Sequence, residues 1–94
     1  MFAVVGHVDI AEGGSDEAEA GLHAQVIPSS KASAGFVRGT WMQSSDKRSG
    51  VAVMLFETEE QASAMAAEMQ QASPPPDMPV IMRQVEVMRI VGEA

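Results

Sequence analysis

Residues 2–10, FAVVGHVDI, are apolar and β-branched with Gly6 among them, and the turn-forming stretch AEGGSDEA follows, which predicts a first strand. From Ser15 or Asp16 the period changes. Ala18, Leu22 and Val26 recur at i, i+4 and i+8, and Asp16, Glu17 and Glu19 open the run where the helix dipole favours acid. Pro28 removes a backbone donor inside this helix, so a kink is expected, with helical turns resuming to about Ala32. Gly35 is placed to end the helix and release Phe36–Gln43 as a second strand.

The polar stretch SSDKRSG, 44–50, predicts a hairpin loop, and VAVMLFE, 51–57, a third strand. Thr58-Glu-Glu-Gln61 has the form of a capping box, and behind it Ala62, Met65, Ala66 and Met69 follow the i, i+3, i+4, i+7 spacing of a helix. SPPPDMP, 73–79, predicts a stiff connector, and VIMRQVEVMRIV, 80–91, a long fourth strand. The order βαββαβ in one 94-residue domain implies an α+β, ferredoxin-like sandwich, in which both helices cover one face of an antiparallel sheet.

Strand three carries Val51, Val53 and Leu55 on one side and Ala52, Met54 and Phe56 on the other, so neither side is polar. Two helices cover only one side. The other would be a larger apolar patch than a soluble monomer ordinarily shows, and a second copy of the same sheet is the economical cover. A chain this short also has little core of its own, and with no cysteine it has no disulfide or thiolate metal site to add stability.

Six Lys and Arg against thirteen Asp and Glu give a net charge of −7, which argues against a nucleic-acid partner. The apolar N-terminal run is short, lacks preceding basic residues and contains Asp9, so it reads as neither signal peptide nor membrane span. A soluble, cytoplasmic protein that does not engage membranes is the expectation that remains.

Ile27-Pro28 on the first helix, Gly35-Phe36 at the start of strand two and Phe56-Glu57-Thr58-Glu59-Glu60 between strand three and the second helix together resemble the antibiotic biosynthesis monooxygenase-like family of dimeric α/β barrels. The resemblance implies a stand-alone domain that pairs through its sheets. The family includes cofactor-independent oxygenases of aromatic substrates and haem-degrading enzymes. Haem-degrading members carry an Asn on strand one, a Trp closing strand three and a His on helix two. Here Gly6 stands at or beside the first position, Phe56 at the second, and residues 58–72 contain no His, so haem degradation is disfavoured. The chain also lacks the Asn and Tyr that the phenol oxygenases use.

Two functional classes follow. One is a non-catalytic dimer that binds a small apolar molecule or serves in assembly. The other is a monooxygenase of quinol-like aromatics needing no metal or flavin cofactor, with a cavity between sheet and helices lined by His7, Trp41, Met54 and Phe56. In that reading His7 takes a phenolic proton and Arg38 holds the resulting anion.

Each candidate has a plainer role beside it. His7 can be a structural residue of the sheet, Arg38 and Arg83 can pair with carboxylates such as Glu86, and His23 falls off the apolar stripe of its helix. The strand and helix methionines, Met42, Met54, Met65, Met69, Met82 and Met88, suit either a pliable cavity or ordinary core. His7, His23, Asp9 and Glu86 do not have metal-ligand spacing, and Pro74–Pro76 reads as a connector over the barrel mouth more readily than as a recognition motif. Strict alternation sets Val37, Gly39 and Trp41 against Phe36, Arg38, Thr40 and Met42, which favours Trp41 as a packing anchor with Gly39 leaving room for its ring.

Overall fold

A computed structural model of the chain describes residues 1–71 and 79–94. Its elements are β1 (Phe2–Ile10), α1 (Ser15–Gly21), a π-helical segment (Leu22–Val26), α2 (Ile27–Lys31), β2 (Phe36–Gln43), β3 (Ser49–Phe56), α3 (Glu59–Gln71) and β4 (Val80–Arg89). The strands form one antiparallel sheet in the order β2-β3-β1-β4. This α+β topology is compatible with the ferredoxin-like arrangement. The 73–79 connector, with its Pro74–Pro76 run, lies outside the described residues apart from Pro79.

The core forms between the sheet and α3. Val4, Met54 and Phe56 on the even positions of β1 and β3 meet Ala62, Met65 and Ala66 of the helix, each buried. Phe56 is fully buried, and Phe36 meets it edge to face with ring centroids 5.9 Å apart, a geometry worth roughly 0.5–1.5 kcal/mol beyond area burial. The capping box is made reciprocally: the Thr58 N–H donates to Gln61 Oε1, and the Gln61 N–H donates to Thr58 Oγ1, both at 3.2 Å.

The expected kink at Pro28 takes the form of a helical widening. The Ile27 N–H donates to the Leu22 carbonyl five residues back, and Pro28 stands in the first turn of α2, just past the widened segment. A π turn spreads the carbonyls that would otherwise press on the proline ring, so the helix continues where a regular α-helix would break. It also rotates the helix by one residue. A straight continuation of the Ala18–Leu22 stripe would bury Ser29, whereas Ser29 is exposed and Ser30 is buried.

A second irregularity lies at the start of β2. Phe36 pairs with Phe56 and Arg38 with Leu55, so Val37 is an extra residue in a bulge. Strict alternation would put Phe36 on the side of Arg38. The bulge instead returns Phe36 to the helix side with Gly39 and Trp41. On β4 a similar shift between the partners of His7 and Val8 makes Arg83 the extra residue.

Gly35 leads into β2 with φ +76°, a left-handed conformation that side chains other than glycine adopt at a cost. Its carbonyl accepts the Glu57 N–H at 3.1 Å, and a Cβ there would collide with the side-chain amide of Gln61. No helix among the described residues is long and apolar enough to cross a membrane.

Candidate functional site

The register decides which side of the sheet each candidate side chain occupies. On the helix side Phe36 and Phe2 flank Phe56, Gly39 and Val4 flank Met54, and Trp41 and Gly6 flank Ala52. On the open side Arg38 and Ala3 flank Leu55, Thr40 and Val5 flank Val53, and Met42 and His7 flank Val51. Continuing onto β4, Met88 stands beside Ala3, Glu86 beside Val5 and Gln84 beside His7.

Trp41, Met54 and Phe56 therefore stand on one side of the sheet, and His7 and Arg38 on the other. The single sheet-to-helix cavity expected to hold His7, Trp41, Met54 and Phe56 does not form within the subunit, because β1 presents His7 to the side opposite α3. Met54 and Phe56 are core residues at 2% and 0% exposure. Trp41 packs partly buried against the same cluster. Its ring folds back over Gly39, the room anticipated from the sequence.

His7 is half-buried on the open side. Arg38 lies near the far end of that side, and its guanidinium reaches Glu93, 3.5 Å away, beyond the end of β4. Arg83 pairs with Asp9 at 2.5 Å, while Glu86 accepts a hydrogen bond from Gln84. Both arginines thus hold carboxylates of their own chain. Asp9 was a legible partner for Arg83, since both fall on strands. Glu93 was not, because nothing in IVGEA shows that the chain leaves the sheet and turns toward β2. His23 lies exposed in the π-helical segment. Among the described residues no three His, Cys, Asp or Glu side chains are arranged to hold a metal ion.

Two open clefts of about 320 Å³ each lie elsewhere. One, between the β1–α1 loop and the β2–β3 hairpin, is lined by charged and small residues including Glu12, Asp16, Asp46, Lys47 and Arg48. Hydrogen bonds from the Ser44 hydroxyl at 2.6 Å, the largest influence, and from the Arg48 N–H at 3.0 Å hold Asp46 below its ordinary pKa. The other cleft runs along α3 over Phe56 and Met65, with Glu60 and Glu68 among its lining residues. Neither contains His7, Arg38, Trp41 or Met54.

The broadest chemical feature is the open side itself. Ala3, Val5, Val51, Val53 and Leu55 make a central apolar strip on β1 and β3. Met42, Met88 and Ile81 extend it onto the edge strands and are 50%, 49% and 57% exposed. The face is thus apolar in its middle and polar at its edges, where Arg38, Thr40, Gln84 and Glu86 stand. Its strand charges balance: Asp9 and Glu86 against Arg38 and Arg83. Glu93, beside Arg38, adds one carboxylate to this side, and the rest of the acidic excess lies elsewhere on the molecule. No family model matches the chain, and no curated protein matches it.

Proposed function

We propose that this protein is a non-catalytic assembly module, a homodimer whose subunits pack sheet to sheet in the manner of the dimeric α/β barrels that its sequence resembles. The observation that carries this reading is the open side of the sheet, apolar along β1 and β3 and without net strand charge in a chain of net charge −7. A second copy meets less repulsion there than elsewhere on the surface. Burying the strip from both sides supplies what a 94-residue monomer lacks, namely a second core.

The occupant is a second copy because the face is complementary to itself. A twofold axis lying between the sheets, parallel to β1 and β3, sets β2 of one subunit over β4 of the other. Thr40 then stands opposite Glu86, Val53 opposite Val5, and Leu55 opposite Ala3, since each pair shares a row of the sheet. At the edges Thr40 meets Glu86, Arg38 meets Met88 and Met42 meets Gln84, and apolar groups meet in the middle. Any small apolar ligand would lie between the two sheets, beside His7. The oxygenase alternative is the weaker one, since the sheet parts its proposed base, His7, from Trp41, Met54 and Phe56.

Sedimentation velocity tests the proposal. The wild-type chain is expected to sediment at twice its 9.9 kDa mass, and Val53→Asp, which sets a charge at the middle of the strip, at the single mass with unchanged far-ultraviolet circular dichroism. A wild-type chain that sediments as a monomer at every concentration would overturn it.

A further inference from the structure

His7 stands on a central strand of the open side, half-buried between Val51 of β3 and Gln84 of β4, with Met42 beyond Val51 in the same row. Along β1 its neighbours on that side are Val5 and Asp9, and Val53 and Ser49 flank it diagonally on β3. An imidazole is the one side chain here whose charge comes and goes between about pH 5 and 8. The other histidine, His23, lies exposed in the π-helical segment.

The carboxylates that face His7 are already engaged. Asp9, two residues along β1, holds Arg83 at 2.5 Å, and Glu86, one row away on β4, accepts a hydrogen bond from Gln84. On this side β3 carries Val51, Val53 and Leu55, none of which titrates, and β2 carries Arg38, two rows away and paired with Glu93. Asp46, Lys47 and Arg48 of the β2–β3 hairpin line the cleft beside the β1–α1 loop. The amino terminus, which also titrates near neutrality, is six residues away along the strand, about 20 Å. A proton on His7 therefore adds a positive charge to the apolar strip where each facing carboxylate has a partner of its own.

In the twofold dimer the axis runs between β1 and β3, so each row of one sheet faces the same row of the other in reverse order. His7 then faces Val51 of the second copy, and the two imidazoles lie on either side of the axis, about 5 Å apart across it, the spacing of adjacent strands. The second copy's Asp9 and Glu86 bring the same partners with them. On the open subunit water solvates either form of the ring. Between packed sheets, two neutral imidazoles can share an N–H to N hydrogen bond, whereas two imidazoliums set like charges side by side in an apolar layer.

Resting on the dimer reading above, we infer that His7 makes association pH-dependent, the subunits pairing while the imidazoles are neutral and parting as they take up protons. The direction is opposite to that of the chain as a whole. Acidification makes a net charge of −7 less negative, which by itself would strengthen association. A dimer that weakens in acid therefore reports a group in the interface and not the general charge.

Sedimentation equilibrium at about pH 7.5 and about pH 5.5 tests the inference across the range in which imidazole titrates. Each proton that must leave for the subunits to pair raises Kd by up to tenfold per pH unit, so the wild-type dimer is expected to weaken roughly 10- to 100-fold in acid. His7→Gln and His7→Leu take no proton and should hold their Kd or tighten, whereas His23→Gln should keep the wild-type response. A wild-type dimer whose Kd is constant or falls in acid overturns the inference while leaving the dimer standing, as does a neutral variant at position 7 that weakens as the wild type does. Far-ultraviolet circular dichroism should be the same at both pH values; dissociation that accompanies loss of that signal would be unfolding, and would equally overturn it. A wild-type chain that is monomeric at both pH values overturns the dimer and the inference together.

Discussion

The indole of Trp41 lies back over Gly39, close enough that a Cβ at Gly39 would stand 2.6 Å from Cη2 and 2.8 Å from Cζ3 of the ring. Phe36 closes the other side, with its Cζ 3.3 Å from the same point. The glycine is thus a space on the helix side of β2 that two aromatic rings share. It also explains how a broad ring fits on an edge strand: the ring lies along the strand instead of projecting beyond it.

Gly39→Ala should therefore force the indole off the strand and cost roughly 1–3 kcal/mol in urea unfolding, the usual range for overpacking. Trp41 is the only tryptophan in the chain, so its folded-state emission should shift to the red as the ring gains exposure. Unchanged stability and emission would show that the contact yields without cost.

A second close approach couples two loops. The left-handed Gly35 sits against Gln61, whose side chain is committed to the Thr58 N–H. Gly35→Ala should cost about 1–2 kcal/mol for the backbone alone, plus the displacement of Gln61. In a Gln61→Ala background the displacement cost disappears and the backbone cost remains. A double-mutant cycle should accordingly return a coupling of roughly 0.5–3 kcal/mol, whereas additive effects would mean that the two residues act independently.

Asp46 organises the β2–β3 hairpin by accepting from the Ser44 hydroxyl and the Arg48 N–H, and these bonds lower its pKa. A carboxyl whose folded pKa lies below its unfolded value stabilises the fold above the unfolded pKa, about 3.9 for aspartate, and loses that contribution as pH falls through the folded value. Asp46→Asn should thus lower the urea midpoint slightly near about pH 7, with the difference from wild type vanishing by about pH 2. A difference that persists or grows in acid would assign the effect to something other than the carboxylate.

The strands and helices were legible because each carries its own period. FAVVGHVDI and VAVMLFE read as strands, and the Ala62, Met65, Ala66, Met69 stripe with its capping box marks α3 without ambiguity. Facing was less legible, because it depends on counting residues in twos and a single extra residue reverses the count. The bulge at Val37 moves Phe36 to the side opposite the one alternation assigns. The candidate site suffered from the same parity: His7 and Trp41 are both plausible near a pocket, and only the pairing of Val51 with His7 and of Ala52 with Trp41 shows that the sheet lies between them. The partnership of Arg38 with Glu93 depends on where the chain leaves the sheet, which no local pattern in the last five residues encodes.

The widened turn at Leu22–Val26 is, in effect, an insertion. With one residue removed, a regular α-helix from Ser15 would bring Ser30 and Ile27 to the same faces they occupy now, so the two-layer fold has no use for the extra length. Proline has: in the shortened helix its ring would press on a carbonyl one turn back, at about 3 kcal/mol. Deleting Ala24, an exposed residue of the widened turn, should therefore be tolerated only together with Pro28→Ala. The insertion thus serves the proline: removing it while Pro28 stays costs what Pro28→Ala recovers.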